Sequence, residues 1–365
     1  MIHASVARLR PSGYDLDRIT IAAVIPAYNV EREIGQVVAS LPSFVRQIIV
    51  VDDASADGTS EVVRGIAQKD PRIVLLRHNR NQGVGGAMVT GFREALDLGS
   101  EIIFKMDGDG QMEARDLPRL LAPLLRKEAD YSKGNRFRDF KALARMPFRR
   151  RVGNMTLSFL AKAATGYWNC FDPTNGFVAI RREVLAELPL QTLDRGYFFE
   201  QSILAQLYLI GAVVHEVSMP ARYGRESSHL SIPCVLRQFP ARLVKCFVRR
   251  LVLKNFIYDF TMESLYLLLG LPMLFGGALF GSYHWFLSWS SGVPAHTGTV
   301  VIPAMLIILG VEFLLAAIGI DLQQIPKEPR CKAFPEDQAG LPSQPGGRLV
   351  RHESIGIDAG LISGQ

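Results

Sequence analysis

The sequence has few cysteines and no apolar leader. Its four cysteines are scattered along 365 residues, at Cys170, Cys234, Cys246 and Cys331. No two of them have the spacing of a metal site, and they do not form the pattern of a disulfide framework. The first 18 residues contain no apolar run, so we expect no signal peptide and a reducing compartment. These absences argue against a secreted, disulfide-rich domain.

Charged residues are missing from one long stretch near the C-terminus. No Asp, Glu, Lys or Arg occurs between Glu263 and Glu312, a length that suits two membrane-spanning helices of about 20 residues each. We place them at 264–287 and 299–321, with a connector rich in Ser, Gly and Pro between them. A buried helical hairpin of a soluble protein is the alternative, but the uncharged run is too long for a soluble core helix.

Positive charge flanks this stretch on both sides. The net charge is +6, the isoelectric point is about 9.2, and the flanking basic residues are Arg237, Arg242, Lys245, Arg249, Arg250, Lys254, Lys327, Arg330 and Lys332. This position favours anionic lipid, and not nucleic acid, as the partner of the positive charge. The positive-inside rule predicts an integral protein of the cell inner membrane, with both termini and the catalytic part cytoplasmic.

The basic segment 237–258 mixes Lys and Arg with Phe, Leu and Val at helical spacing. This pattern predicts a helix that lies in the membrane interface. An ordinary amphipathic surface helix is the alternative.

Residues 20–235 alternate between apolar runs and amphipathic stretches. ITIAAVIP, QIIVVDD, RIVLLRH and EIIFKMDGDGQ predict strands, and the stretches that begin EREIG, TSEVV and VGGAM predict helices. The alternation indicates an α/β domain with a mostly parallel sheet and helices on both faces. Ligands of such sheets bind beyond the C-terminal ends of the strands, and three of these ends carry polar residues, at 26–29, 52–53 and 107–111.

These polar residues suit a nucleotide and a divalent metal. Asp107 and Asp109 form a D-x-D turn whose hard oxygens suit Mg²⁺ or Mn²⁺ bound to a diphosphate, although the motif alone is weak. Asp52 and Asp53 offer acceptors to a base or a ribose, and the alternative for Asp53 is that it only caps a loop. Tyr28 offers a ring that could stack on a base, and simple packing is the alternative.

The motif series PAYN, VVDDASADGT, NQGVGGAMVTGF, MDGDGQ and DPTNGF resembles that of family-2 glycosyltransferases over about residues 20–235. Dolichol-phosphate mannose synthases and bacterial polyprenyl-phosphate glycosyltransferases have the most similar pattern. The resemblance implies a GT-A fold, which is a Rossmann-like, mostly parallel sheet, and metal contacts at Asp107 and Asp109. We assign the binding of the nucleotide sugar to Pro26, Tyr28, Asp52, Asp53, Asp107 and Gln111.

The resemblance also implies an acceptor side. Arg136 in KGNRF and Arg150 in FRRRVGN stand where relatives contact the acceptor phosphate, and Arg suits forked phosphate recognition. A solvated or lipid-facing basic face is the alternative for 149–151. We assign the acceptor loop to Asp172, Asn175 and Glu200, and catalysis to Asp109, Arg136 and Arg150.

Two departures from the family pattern concern the donor. Val30 follows PAYN where many members have Glu, although Glu31 comes next. Tyr223 and His229 stand where mannose synthases have an Arg and a Lys. These differences put a GDP-mannose donor in doubt and leave both GDP- and UDP-sugars open.

The sequence thus predicts a metal-dependent glycosyltransferase that moves one sugar to a polyprenyl or dolichyl phosphate at the cytoplasmic membrane face. A hydroxyl of a glycan or glycolipid is the alternative acceptor, and a non-catalytic membrane partner with the same fold is a remote alternative. No nucleic-acid partner is expected, and the oligomeric state is left open. The predicted units are an extension (1–18), the catalytic domain (19–235), the interface helix (236–262), two membrane helices (263–322) and a cytoplasmic disordered tail (323–365).

Overall fold

The computed structural model describes residues 16, 18–136, 148–172, 175–219 and 232–330, and the side chains of 148–154 and 232–238 lie outside this description. The described residues form a seven-stranded sheet with the order β3-β2-β1-β4-β6-β5-β7. Helices pack around the sheet, and a long helical hairpin follows it.

The sheet is mostly parallel because helices connect its first four strands. The strands are β1 (Ile21–Ala27), β2 (Val45–Asp52), β3 (Ile73–Arg77), β4 (Ile102–Lys105), β5 (Tyr131–Asn135), β6 (Val178–Arg181) and β7 (Val214–Ser218). β1 pairs in parallel with β2 and β4, whereas β6 runs antiparallel to β4 and β5. The carboxyl ends of β1, β2 and β4 therefore meet at one edge of the sheet.

The helices of this domain cover a continuous apolar core. They are α1 (Ile34–Ser40), α2 (Thr59–Ala67), α3 (Val84–Asp97), α4 (Leu117–Leu125), α5 (Phe148–Thr165), α6 (Arg182–Glu187) and α7 (Phe199–Leu209). Short 3-10 turns occur at Ala114–Asp116 and Leu190–Thr192. Phe92 of α3, Ile103 of β4 and Phe199 of α7 belong to one buried cluster, so the core joins both halves of the sheet.

Three further helices follow β7. α8 (Ile232–Val252) continues into a π-helical turn (Leu253–Tyr258), and α9 (Met262–Ser291) and α10 (Thr297–Gln323) form the hairpin. By length and composition, α9 and α10 are long and apolar enough to cross a membrane. Glycines bring the two helices close together, since a Cβ on Gly310 would lie 2.6 Å from the backbone nitrogen of Leu274.

Four charged residues, which we call the charge junction, connect the hairpin to α8 and its π-helical turn. Arg250 donates to both carboxylate oxygens of Asp321, at 2.7 and 3.0 Å. Lys254 donates to Asp321 at 2.8 Å and to Glu263 at 2.9 Å. Trp168 of the catalytic domain also donates to Asp321, at 2.9 Å. The junction balances two cations with two carboxylates, as buried charges require.

The predicted fold class is confirmed: an α/β domain with a mostly parallel sheet precedes a C-terminal helical hairpin. The predicted spans 264–287 and 299–321 lie within α9 and α10. The boundaries of the predicted units stay predictions. Most of the extension and of the tail lies outside the described residues.

Candidate active site

Hydrogen bonds join the loops that follow β1 and β2. The backbone N–H of Asn29 donates to Ser55 Oγ at 3.0 Å, and Ala56 N–H donates to Asn29 Oδ1 at 2.9 Å. Glu31, the residue after Val30, accepts the N–H of Gly58 at 3.0 Å. Tyr28 in the same loop is 50% exposed, so its ring is accessible to a ligand at this edge.

Asp53 organises the donor side of the site. Its carboxylate accepts the backbone N–H groups of Gln82 and Gly83, at 2.8 and 2.7 Å. His78 Nδ1 lies 2.6 Å from Asp53 Oδ1, and it donates there because an ionised carboxylate only accepts. Thr90 Oγ1 lies 2.9 Å from the other ring nitrogen. Both oxygens of Asp53 thus hold the glycine-rich loop, which precedes α3. Direct contact between Asp53 and a donor stays a prediction.

Asp52, the other acid assigned to the donor, holds the loop after β2. Its side chain is fully buried, accepts the N–H of Ser55 at 2.9 Å and bonds the hydroxyl of Ser60. Arg77 lies 3.5 Å away. As the last residue of a buried strand, Asp52 faces the protein interior. It shapes the loop, and its contact with the donor stays a prediction.

The glycine-rich loop before α3 packs against the segment 194–196. Gly83 has a φ of 82°, a conformation that glycine tolerates without strain. A Cβ on Gly85 would collide with the carbonyl oxygen of Asp194. Only a residue without a side chain fits this close approach.

The D-x-D turn follows β4 and packs against the end of β1. A Cβ on Gly108 would lie 3.3 Å from the carbonyl oxygen of Pro26, so the turn and the PAYN loop are neighbours. Asp109 Oδ1 accepts the N–H of Gln111 at 3.0 Å, which fixes the turn. Asp107 remains partly exposed, with 29% of its side chain accessible.

A buried lysine lies directly behind this turn. Lys105 Nζ is 2.8 Å from Asp107 Oδ1 and 3.2 Å from Glu200 Oε1. A Cβ on Gly176 would collide with the Lys105 ammonium, so this glycine leaves the room that the ammonium occupies. Burial alone would lower the pKa of Lys105, but the two carboxylates outweigh it and raise that pKa above its usual value. The lysine stays charged and links the D-x-D turn, which we also call the acidic turn, to Glu200 on α7.

Asp172 and Arg136, both predicted on the acceptor side, form a forked ion pair. Arg136 donates from Nε and Nη2 to the two oxygens of Asp172, at 2.9 and 3.1 Å. Asp172 is fully buried. Burial would raise the pKa of its carboxyl, but the hydrogen bonds and charge of Arg136 lower it. The sheet therefore places a guanidinium at this position, with 38% of its side chain exposed.

Glu216 of β7 anchors the loop that carries Asp172. Its carboxylate accepts the N–H groups of Phe171 and Asp172, at 2.8 and 2.9 Å, and the amide of Asn135 at 2.6 Å. Asn175, also predicted in this loop, is buried and receives the ammonium of Lys133 on its carbonyl oxygen. Burial lowers the pKa of Lys133. The loop is thus held by the half-buried Glu216 and the buried Lys133.

Some predicted residues lie outside what the structure describes. Arg150 and Asn154 belong to α5 by their backbone, but their side chains are not described. Tyr223 and His229 fall in the undescribed segment 220–231. The roles predicted for them stay predictions.

Sequence reasoning missed three residues at this edge: Lys105, His78 and Glu216. Lys105 carries a recognisable signal, because it ends an otherwise apolar buried strand, where a charged residue needs a partner. His78 follows β3 and Glu216 lies in the middle of β7, and their roles depend on contacts with residues far away in the chain.

The donor set at the acidic turn fits a hard divalent cation that shares its coordination with substrate. Asp107 and Asp109 supply carboxylate oxygens. Among the residues that the structure describes, no group of three or more His, Cys, Asp or Glu could hold a metal ion. Mg²⁺ commonly uses one or two carboxylates together with substrate phosphates and water. The site therefore suits a metal that shares its coordination with a diphosphate.

Comparison with known proteins identifies the class of this site. The sequence model of Glycosyl transferase family 2 matches residues 22–188. The UDP-N-acetylglucosamine–dolichyl-phosphate N-acetylglucosaminyltransferase of Methanococcus voltae is 31% identical over 190 residues, which cover 48% of this chain and 75% of that protein. The chain therefore belongs to glycosyltransferase family 2, and the predicted enzyme class is confirmed.

Two bacterial relatives are similar over the same region. The undecaprenyl-phosphate mannosyltransferase of Micrococcus luteus is 30% identical, over 54% of this chain and 81% of its own length. The polyprenol monophosphomannose synthase of Mycolicibacterium smegmatis is 34% identical, over 48% of this chain and 68% of its own length. The predicted resemblance to polyprenyl-phosphate glycosyltransferases is thus confirmed, while the sugars in these names differ from one relative to the next.

Proposed function

We propose that the protein transfers one sugar from a GDP- or UDP-sugar to the phosphate of a polyprenyl or dolichyl lipid at the cytoplasmic membrane face. The observation that carries this proposal is the pairing of the carboxylates at the site. Glu200 pairs with Lys105, and Asp172 pairs with Arg136. A hydroxyl acceptor needs a general base, whereas a phosphate is already anionic and needs none. The names of the three relatives support the same acceptor.

On the donor side, the residues around the acidic turn bind and orient the nucleotide sugar. Asp107, Asp109 and Gln111 face the diphosphate, and Tyr28 stacks on the base. Asp53 acts through the loop that it holds. Asp107 and Asp109 would hold Mg²⁺ or Mn²⁺, which would supply charge stabilisation for the leaving diphosphate. Lys105 keeps Asp107 in place from behind.

On the acceptor side, Arg136 and Arg150 hold the phosphate of the lipid in line with the sugar. Asp172 fixes the Arg136 guanidinium by its forked contact, so less side-chain freedom is lost when the phosphate binds. Catalysis then comes from positioning and charge stabilisation. The hairpin of α9 and α10 keeps the site at the membrane surface, where such a lipid presents its phosphate.

A donor screen on the detergent-purified protein tests this proposal. GDP-mannose, UDP-glucose, UDP-GlcNAc and UDP-galactose would each be offered with Mn²⁺ and a short polyprenyl phosphate, and label would be followed into the lipid phase. We expect one donor to give a lipid product that EDTA prevents. Asp109→Asn should abolish transfer, and Asp97→Asn, an exposed aspartate at the end of α3, should not.

Two results would contradict the proposal. Full activity of the Asp109→Asn variant would show that the acidic turn does not bind a metal that the reaction needs. Transfer to a glycan or glycolipid hydroxyl, with none to the polyprenyl phosphate, would show the alternative acceptor.

A further inference from the structure

A cavity of about 280 Å³ lies between α7 and α8, on the side of the domain from which the hairpin leaves. Apolar residues and basic residues share its lining, namely Phe198, Ala205, Leu209, Arg242, Lys245 and Arg249. A water molecule takes up about 30 Å³ of liquid, so the volume holds a phosphate-sized group together with several waters.

The lining carries more positive than negative charge. Asp194 is the one carboxylate among the described lining residues, and it pairs with Arg242 at 3.1 Å. No ion pair to Lys245 or Arg249 is found within the described ranges, where both residues are exposed. Two cations at the rim are therefore uncompensated, and they favour an anionic ligand.

Arg250 forms a buried part of the cavity wall and has an unsatisfied donor. It is 1% exposed, and its two terminal nitrogens donate to Asp321 and to the carbonyl oxygen of Ala163. Its Nε is buried and has no hydrogen-bond partner in the part of the chain that the structure describes. Buried donors are seldom left unpaired in folded proteins, which makes this N–H an exception beside the cavity.

The cavity is separate from the active site because it lies on the opposite face of α7. Phe198, Ser202, Ala205 and Leu209 recur every three or four residues and line the cavity. Glu200, half a turn away from Ser202, contacts Lys105 on the sheet side. The cavity and the Lys105–Glu200 pair therefore lie on different faces of α7.

The outer face of α8 indicates where the ligand comes from. Val244, Val248 and Val252 follow each other at four-residue intervals and are 61%, 51% and 43% exposed. The buried Leu243 and Arg250 lie on the opposite side of the helix, and the basic rim lies between the two faces. A helix with an exposed apolar stripe beside a basic stripe suits the boundary between acyl chains and head groups.

We propose that this cavity binds the phosphate of an anionic phospholipid head group, at a site distinct from the active site. Lys245 and Arg249 attract the head group at the rim and donate to its phosphate oxygens. The acyl chains run along the valine stripe of α8 towards the hairpin. The bound lipid thereby connects α7, α8 and the membrane.

Native mass spectrometry of the full chain, delipidated in a neutral detergent, tests this proposal. Phosphatidylglycerol, phosphatidylcholine with the same acyl chains, and inorganic phosphate would be titrated separately. We expect one retained phosphatidylglycerol per chain and weaker phosphatidylcholine binding. The double substitution Lys245→Gln with Arg249→Gln should weaken phosphatidylglycerol binding about tenfold or more. Lys327→Gln, an exposed lysine after α10, is the control and should change it less than about twofold.

Four outcomes would overturn the proposal. Unchanged binding by the double variant would show that Lys245 and Arg249 do not bind the lipid. An equal loss with Lys327→Gln would indicate diffuse attraction to the surface. Equal retention of phosphatidylglycerol and phosphatidylcholine would show that the site does not select an anionic head group. Inorganic phosphate bound as tightly as the lipid would make a soluble anion the ligand. Because the readout is binding, a failure of the proposed transfer reaction would leave it unaffected.

Discussion

The buried lysine behind the acidic turn can be tested by removing its charge. Lys105→Met keeps most of the volume of the side chain but leaves Asp107 and Glu200 without their shared cation. Breaking a buried ion pair by removing one partner costs about 3–5 kcal/mol. We expect the lower end, about 3 kcal/mol, because Asp107 keeps 29% of its side chain in water.

This loss would be visible as a lower unfolding temperature. For a domain of 150–250 residues, about 1 kcal/mol shifts the midpoint by about 2–4 °C, so Lys105→Met should unfold about 6–12 °C below the wild type. Differential scanning fluorimetry in detergent measures this shift. Lys69→Met, an exposed lysine, is the matched control and should shift it by no more than about 2 °C.

A second substitution distinguishes charge from packing. The pKa of Lys105 is raised in the fold, so its stabilisation is fully present below the pKa of the unfolded chain and is lost only at strongly alkaline pH. In the variant, Asp107 and Glu200 lack their shared cation and repel each other. Adding Glu200→Gln should therefore reduce the deficit.

A loss below about 1 kcal/mol, or a deficit that Glu200→Gln leaves unchanged, would refute this reasoning. The first result would mean that the ammonium contributes little net stabilisation. The second would mean that the variant fails through packing alone.

Three further substitutions test other parts of the structure. Gly85→Ala should raise the donor KM about tenfold or more, because the methyl group collides with the backbone of the 194–196 segment; Gly65→Ala, which has open space, should leave steady-state kinetics unchanged. Arg136→Ala should raise the acceptor KM and leave the donor KM within about twofold, and equal changes in both would argue against an acceptor role. Asp321→Asn should lower the unfolding temperature in detergent by about 6–12 °C, because Arg250 loses its buried anion; an unchanged midpoint would mean that the charge junction adds no stability.

Most of the fold could be predicted from the sequence because its signals are local. The first four strands and the helices between them have the apolar periodicity expected of them. The hairpin could be predicted from the absence of charge between Glu263 and Glu312. Because parallel strands end at one edge, their positions also predicted that 26–29, 52–53 and 107–111 would lie together.

The site was less predictable because its contacts join distant parts of the chain. Lys105 meets Glu200 across 95 residues, and no local pattern connects the two. Asp52 and Asp53 are adjacent acids that look equivalent in sequence. The alternation of a strand turns the Asp52 side chain into the interior, while Asp53 holds the glycine-rich loop. The fold therefore determines which of the two neighbouring carboxylates binds the glycine-rich loop.

Under the proposed function, with α9 and α10 in a bilayer, the charge junction also has a consequence for the distance between the reaction and the membrane. It ties the start of α9 and the end of α10 to α8 and its π-helical turn through Glu263 and Asp321, and Trp168 of the catalytic domain also donates to Asp321. α9 has 30 residues and spans about 45 Å at 1.5 Å per residue, which exceeds a hydrocarbon core of about 30 Å. A change in bilayer thickness would therefore be met by tilting of the hairpin, and that tilt would turn the whole catalytic domain with it. Membrane thickness should then govern how closely a lipid phosphate can approach the sugar.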